Sequence, residues 1–411
     1  EVETFEQEMA KQLDTEPEEE ELDVEEILSQ AEEVISEDIV PMEDPEVSAA
    51  ISVMNNEQKI AQLFMVTPEA LTGVDVATAA GNATKESFEK RQVGGIVYFG
   101  KNIVDPTQTA EMLTNMQNIA LSVNSLPIFL GVDEEGGDIT RVSSNPAFSV
   151  TSVACAEELA KDGDENAAYE GGAIIGKYLN ELGFNLDFAP VADVKENEDS
   201  DIGNRSFGTD ADTVAKMSTS YAKGLMDNGV LSCFKHFPAY GRAGANTDTN
   251  TVSVNTPLED IKSTDMKPYE AAISEKIPLI MAGNVIIEGV GEANTPVCMQ
   301  PDLINSYLKE ECGYEGIVIT DALNAASIKD NYTSGEACVK AIKAGVDMIL
   351  MPDDFEEAFT AVLNAYEAGE IDNERIEDAL TRILKVKLDM QKNMNRAEES
   401  TSDNSAEAEE E

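Results

Sequence analysis

Four short segments place residues capable of acid, base or nucleophilic chemistry at the ends of apolar runs: Gly131-Val132-Asp133-Glu134-Glu135-Gly136-Gly137, Lys235-His236, Asn284 and Thr320-Asp321. Carboxylates gathered beside a lysine around one pocket are the equipment of general acid/base or glycosyl-transfer chemistry. An acidic residue after a strand is also a common N-cap for the next helix. Four strand ends converging on one rim favour a site over four separate caps. His236 is the only histidine in 411 residues, so HExxH zinc chemistry and Cys2His2 fingers are excluded. A lone histidine at a strand end also fits a ring satisfied by a backbone carbonyl.

Those segments need a scaffold that delivers them to one face. Eight apolar runs bounded by turn residues occur at 60–66, 93–99, 127–133, 184–190, 231–237, 278–284, 316–321 and 347–351. Between most of them apolar residues recur every three or four positions, as in 109–123, 361–372 and 376–390, which is helical periodicity. Continuous apolar strands alternating with helices specify a parallel sheet, and eight of them predict a single (β/α)8 TIM-barrel-like domain over residues 50–392. A doubly wound open sheet is the competitor, but no GxGxxG follows the early strands. Barrel active sites form at the C-terminal ends of the strands, where the polar residues fall here.

Composition bounds the partners. With 28 Lys+Arg against 81 Asp+Glu the net charge is −53, so neither a nucleic acid nor an anionic membrane surface is an expected partner. No apolar run is long enough to span a bilayer. Five cysteines at irregular spacing argue against a disulfide framework or a CxxC zinc site. The charge is concentrated at the ends. Residues 1–48 read as an acidic disordered leader and residues 393–411 as an acidic disordered tail, because neither can bury enough apolar surface to offset chain entropy. The first residue is Glu1, with no hydrophobic leader after it, which reads as a trimmed product whose removed signal or lipid anchor would make the leader a cell-surface tether. A cytoplasmic protein with a solubilising tail is the alternative.

Seven blocks, VGGIVYFGKNI (93–103), GVDEEGGDITRV (131–142), FNLDFAPVADV (184–194), IGNRSFGTD (202–210), FKHFPAYG (234–241), GIVITDALN (316–324) and AIKAGVDMILMP (341–352), fall in the order seen in glycoside hydrolase family 3. The chain most resembles its single-domain β-N-acetylhexosaminidase branch, the NagZ type. That resemblance implies a retaining glycosidase acting on N-acetylglucosamine-containing glycans or cell-wall fragments, with no metal and no cofactor. It makes Asp321 the nucleophile, which forms a glycosyl-enzyme ester. Asp133 becomes a ligand for sugar hydroxyls, and Arg205, Lys235 and His236 hold the ring. The cations Lys235 and Arg205 are expected to keep Asp321 ionised.

The departures are equally specific. In the branch, an Asp-Ser-His element after the KHFPGHG block supplies the proton donor. The stretch here is Asn246-Thr247-Asp248-Thr249-Asn250, so Asn250 is expected at the donor's position, and an amide cannot deliver a proton. Tyr240 and Asn284 replace two other histidines, and Asp138 replaces an arginine. Asp248, in a loop able to swing over the pocket, becomes the candidate substitute acid. The alternative is a catalytically impaired homologue that binds carbohydrate or protein at a cell surface. A family member using phosphate as acceptor fits poorly with so acidic a chain. Asn197, Asp199 and Asp201 resemble the start of a calcium loop, but Ile202 and Gly208 stand where glycine and glutamate are required.

Overall fold

The computed structural model describes residues 44–408, with side chains described to residue 396. Most of the expected leader lies outside the described residues, but its last residues do not. Helix Pro45–Ser52 buries Val47 and Ile51, one turn apart, so residues 45–48 are packed helix. The first apolar run also divides. Asn55 and Gln58 form a capping box, each side chain accepting the other's backbone N–H at 2.9 Å, and helix Asn56–Gln62 carries Ile60 before a strand begins.

Ten strands follow among the described residues: β1 Phe64–Val66, β2 Gly95–Val97, β3 Phe129–Val132, β4 Leu186–Asp187, β5 Leu231–Phe237, β6 Ser253–Val254, β7 Leu279–Ala282, β8 Ile286–Ile287, β9 Ile317–Thr320 and β10 Ile349–Leu350. Eight of them form one parallel sheet in the order β10-β1-β2-β3-β4-β5-β7-β9. A parallel bridge between Ile319 and Met348 joins the two ends, so the eight expected runs make a nearly closed (β/α)8 barrel. The remaining pair, β6 and β8, is a short parallel ribbon that the periodicity did not reveal. It lies beyond the C-terminal ends of β5 and β7.

Helices Pro106–Asn124, Glu165–Leu182, Ala211–Asp227, Ser334–Lys343 and Phe355–Glu367 cover the barrel, each started by an aspartate or threonine N-cap. Phe129, Phe184, Phe188 and Phe234 are fully buried, and each such side chain contributes about 2–3 kcal/mol. Inside the barrel, glycine at 131 leaves room for Met65, because a Cβ there would lie 2.5 Å from its Cε. The last helix, Asn373–Ala408, continues through residues 393–408, which composition had assigned to a solvated tail. A helix already nucleated on buried Ile376, Leu380, Ile383 and Leu384 propagates at little cost.

Candidate active site

The site is built from the strand ends upward. Beyond β3, three consecutive acidic residues take different directions. Glu134 turns into the protein, where its carboxylate accepts the backbone N–H groups of Arg141 at 2.5 Å, Val142 at 2.9 Å and Ser143 at 2.9 Å, and the Tyr178 hydroxyl at 2.8 Å. That anchor fixes a tight loop turned by Gly136 and Gly137, whose φ values of 85° and 56° favour glycine. Asp133 and Glu135 face the other way, into a cavity of about 410 Å³.

Lys235, at the end of β5 and 2% exposed, places Nζ 2.9 Å from Asp133 and 2.7 Å from Glu135. Arg205 grips Glu135 with two parallel bonds of 2.9 and 2.7 Å. Burial alone would raise the Glu135 pKa, but Lys235 and Arg205 outweigh it and pull it to about 2. Burial would equally lower Lys235, yet Asp133 and Glu135 hold it above its ordinary value. Lys235 and His236 are neighbours in sequence yet both line the cavity, because the β5–β7 register shifts between Phe234 and Phe237 and breaks the normal alternation. His236 is not a ring capped by a carbonyl: Asp193 accepts its backbone N–H and faces Nδ1, both at 2.9 Å. The proton therefore sits on Nδ1 and leaves Nε2 for a ligand.

Asp321 follows β9. Its backbone N–H donates to Ala282 and its Oδ1 accepts the Ala322 N–H at 2.7 Å. Burial raises its pKa, His236 opposes the rise, and the charge of Asp248 adds to it. This corrects the expectation that Lys235 and Arg205 keep Asp321 ionised with a lowered pKa. Lys235 has only a weak lowering effect, and Arg205 is committed to Glu135.

The loop after β5 also departs from expectation. Asp248 lines the cavity, its backbone N–H held at 2.7 Å by the Asn246 side chain. The Asp248 and Thr247 carbonyls accept N–H groups from Ala326 and Ser327, so the loop is docked on the segment that follows Asp321. Asn250 is exposed and outside the cavity, with its amide donating to Asn246 and Thr249. The loop turns away after Asp248, which one-dimensional spacing cannot reveal. Asn284 likewise misses the cavity wall. It is 1% exposed, donates to the Ala322 carbonyl at 2.9 Å and accepts from Cys298, supporting the backbone behind Asp321.

The cavity therefore gathers Asp133, Arg205, Lys235, His236, Asp248 and Asp321. Sequence reasoning missed Glu135 and Arg141, which also line it, and Asp193, which orients His236. Glu135 was visible in the GVDEEGG block, but its partner is 70 positions away. Asp199 and Asp201 of the calcium-like stretch serve local structure: Asp201 accepts the Tyr240 hydroxyl, and the Asp199 N–H donates to Asn197. A half-buried carboxylate, a second carboxylate acting on it and a floor of charge-paired hydrogen-bonding groups suit attack on an anomeric carbon.

Residues 55–386 match the model of the glycosyl hydrolase family 3 N terminal domain. The chain belongs to glycosyl hydrolase family 3. Among family 3 relatives it is 30% identical to beta-hexosaminidase A of Pseudoalteromonas piscicida, over 74% of this chain and 54% of that protein. It is also 30% identical to the beta-hexosaminidase LpqI of Mycobacterium tuberculosis, over 85% and 87%. Among solved structures, a family 3 beta-N-acetylglucosaminidase from Paenibacillus superposes with a TM-score of 0.77 at 32% identity, covering 82% of this chain and 63% of that one. The M. tuberculosis LpqI structure gives 0.72 at 28% identity, covering 83% and 96%. The chain thus spans about half the length of the Pseudoalteromonas relative and most of the mycobacterial one.

Proposed function

We propose that this family 3 chain is a retaining β-N-acetylhexosaminidase in which Asp321 is the nucleophile and Asp248 the acid and base. The carrying observation is that both carboxylates line one cavity and that the loop bearing Asp248 is docked, through its carbonyl and that of Thr247, on the segment that follows Asp321. Asp321 attacks the anomeric carbon while the bond to the leaving oxygen breaks, and Asp248 gives that oxygen its proton. Asp248 then takes a proton from water, whose oxygen attacks the same carbon and releases Asp321. Asp133, Lys235 and His236 bind ring hydroxyls, and Arg205 supports them through Glu135. The names beta-hexosaminidase and beta-N-acetylglucosaminidase support N-acetylglucosamine-containing glycans as substrates, and cell-wall fragments are the class of such glycans proposed here. An extracellular or cell-surface location is supported by a secreted relative, a glycosyl hydrolase of Arthroderma benhamiae. No helix among the described residues is long and apolar enough to cross a membrane.

The test is hydrolysis of nitrophenyl N-acetyl-β-glucosaminide and of an unactivated disaccharide. Asp321→Asn lowers kcat by roughly several orders of magnitude on both. Asp248→Asn spares the nitrophenyl substrate relative to the disaccharide and regains rate with azide. The acidic limb has a definite sign. The nucleophile works ionised, so rate falls as pH drops through the raised Asp321 pKa, and Asp248→Asn, by removing a raising charge, moves that limb to lower pH. Asn250→His changes neither substrate's rate by more than about twofold, because surface substitutions away from a site have small effects. Undiminished disaccharide turnover in Asp248→Asn would remove Asp248 from the mechanism. Binding of N-acetylglucosamine without turnover of either substrate would favour a carbohydrate-binding module.

A further inference from the structure

Tyr240 stands where three segments of the rim meet. It opens the short helical turn Tyr240–Arg242 that follows β5, lines the cavity and is 4% exposed. The turn is fixed from behind, since a Cβ on Gly241 would lie 2.0 Å from the carbonyl oxygen of Val194, the residue after Asp193. The Tyr240 ring packs on His236, with centroids 4.9 Å apart and planes at 54°. Its hydroxyl donates to Asp201 at 2.9 Å, and the Asp201 backbone N–H returns to the same turn at the Ala243 carbonyl. On its other side the phenolic oxygen faces the backbone N–H of Thr247, the residue before Asp248. Burial and Asp201 raise the phenol's pKa and outweigh that N–H, so the group stays neutral and its one proton is committed to Asp201.

A phenol bound in this way gives no proton to a substrate, yet it joins parts that the reaction needs. Thr247 is 2% exposed, and its carbonyl accepts the Ser327 N–H while its own N–H is turned to the Tyr240 oxygen. The backbone between those two points sets the direction of the next side chain, which is Asp248. We propose that Tyr240 is a positioning residue whose hydroxyl, anchored on Asp201, holds the Thr247–Asp248 backbone so that the Asp248 carboxylate faces the leaving-group oxygen. A misplacement of about 1 Å can cost roughly a hundredfold in rate, so a hydroxyl remote from the breaking bond still governs it. The inference rests on the reading of Asp248 as acid and base, and it extends that reading to the residue that aims the acid.

The test compares the nitrophenyl glycoside with the unactivated disaccharide in Tyr240→Phe, in Asp248→Asn and in the double variant. Tyr240→Phe keeps the ring against His236, so KM on both substrates and kcat on the nitrophenyl glycoside stay within about twofold of wild type. Its kcat on the disaccharide falls by about tenfold, because only that leaving group needs the proton. Added to Asp248→Asn, the same substitution costs nothing further, since the acid it aims is already gone. Asp201→Ala, at an exposed residue, reproduces the disaccharide loss without altering the cavity wall, and Asp201→Asn, which keeps an oxygen acceptor, restores most of it. A tyrosine with a merely structural role would lower the thermal midpoint and both rates together, and that result overturns the proposal. So does a wild-type ratio of the two rates in Tyr240→Phe where Asp248→Asn changes it, or losses that multiply in the double variant. Undiminished disaccharide turnover in Asp248→Asn alone would remove the underlying reading, and this proposal with it.

Discussion

Each end of this barrel buries a lysine, and the two are treated in opposite ways. At the rim, Lys235 lies between Asp133 and Glu135, and their attraction outweighs the penalty of burial and holds its pKa above the ordinary range. At the base, Lys387, 1% exposed, has among the described residues only the Gln62 side-chain oxygen at 2.8 Å and the face of Phe129 5.2 Å from Nζ, and burial takes its pKa down to about 7. Depth is the same in both; company differs. Carboxylates beside a buried ammonium favour its charged form, as at Lys235; the base holds such a pair as well, since buried Lys309 lies 2.6 Å from Asp347, and Lys387 is the lysine there that lacks one.

Breaking the rim side of that contrast should have the largest effect. Lys235→Met strands Asp133 beside Glu135, which keeps only Arg205, and removing one partner of a buried ion pair costs roughly 3–5 kcal/mol. Urea unfolding near pH 7 should register the loss, and sugar affinity should fall with it. A variant as stable as wild type would mean the two carboxylates are not held by Lys235.

The base responds to pH instead. Because Lys387 titrates near 7 when folded and near 10.5 when unfolded, the unfolded chain binds the extra proton between those values, and stability from this group rises with pH through that window. Below about pH 7 both states are protonated and the slope ends. Lys387→Met removes the slope, so the difference in unfolding free energy between variant and wild type should change by roughly 2 kcal/mol from pH 7.5 to 9, at about 1.4 kcal/mol per unit. A constant difference would show that Lys387 is charged throughout.

The smallest change sharpens the contrast by giving Lys387 what Lys235 has. Gln62→Glu supplies a carboxylate, at the loss of the bond from Gln62 to the Gln92 carbonyl. It should flatten the same pH slope without removing the lysine, with an amplitude of about 1 kcal/mol or less over that range. An undiminished slope would assign the pH dependence to another group.

Why the rim was more legible than its details follows from the range of the interactions. Strands announce themselves locally: eight apolar runs gave eight barrel strands, and Asp133, Lys235, His236 and Asp321 stand at their ends, where the runs stop. Glu135, Arg205 and Asp193 take their roles from contacts 43 to 70 positions away, which no local pattern carries. Asn250 and Asn284 illustrate the converse. Both fall at positions suggested by the family pattern, but the backbone after Asp248 leaves the cavity, and Asn284 points to the Ala322 carbonyl. The helix carrying Ile60 was hidden for another reason. A buried helix and a buried strand look alike over a few apolar residues, and only the Asn55 and Gln58 caps separate them.

The ribbon of β6 and β8 sets how the proposed acid can move. Ser253 and Val254 pair with Ile286 and Ile287 just downstream of Asp248, while upstream the Thr247 and Asp248 carbonyls are already held by Ser327 and Ala326. A segment moored on both sides is a wall and not the swinging arm its glycine and asparagine content suggested. Turnover should then carry no diffusive gating step, so adding sucrose to raise solvent viscosity should leave kcat unchanged. The chain would gain speed of commitment from a catalytic group that never has to find its place, and give up the ability to shut water out by closing.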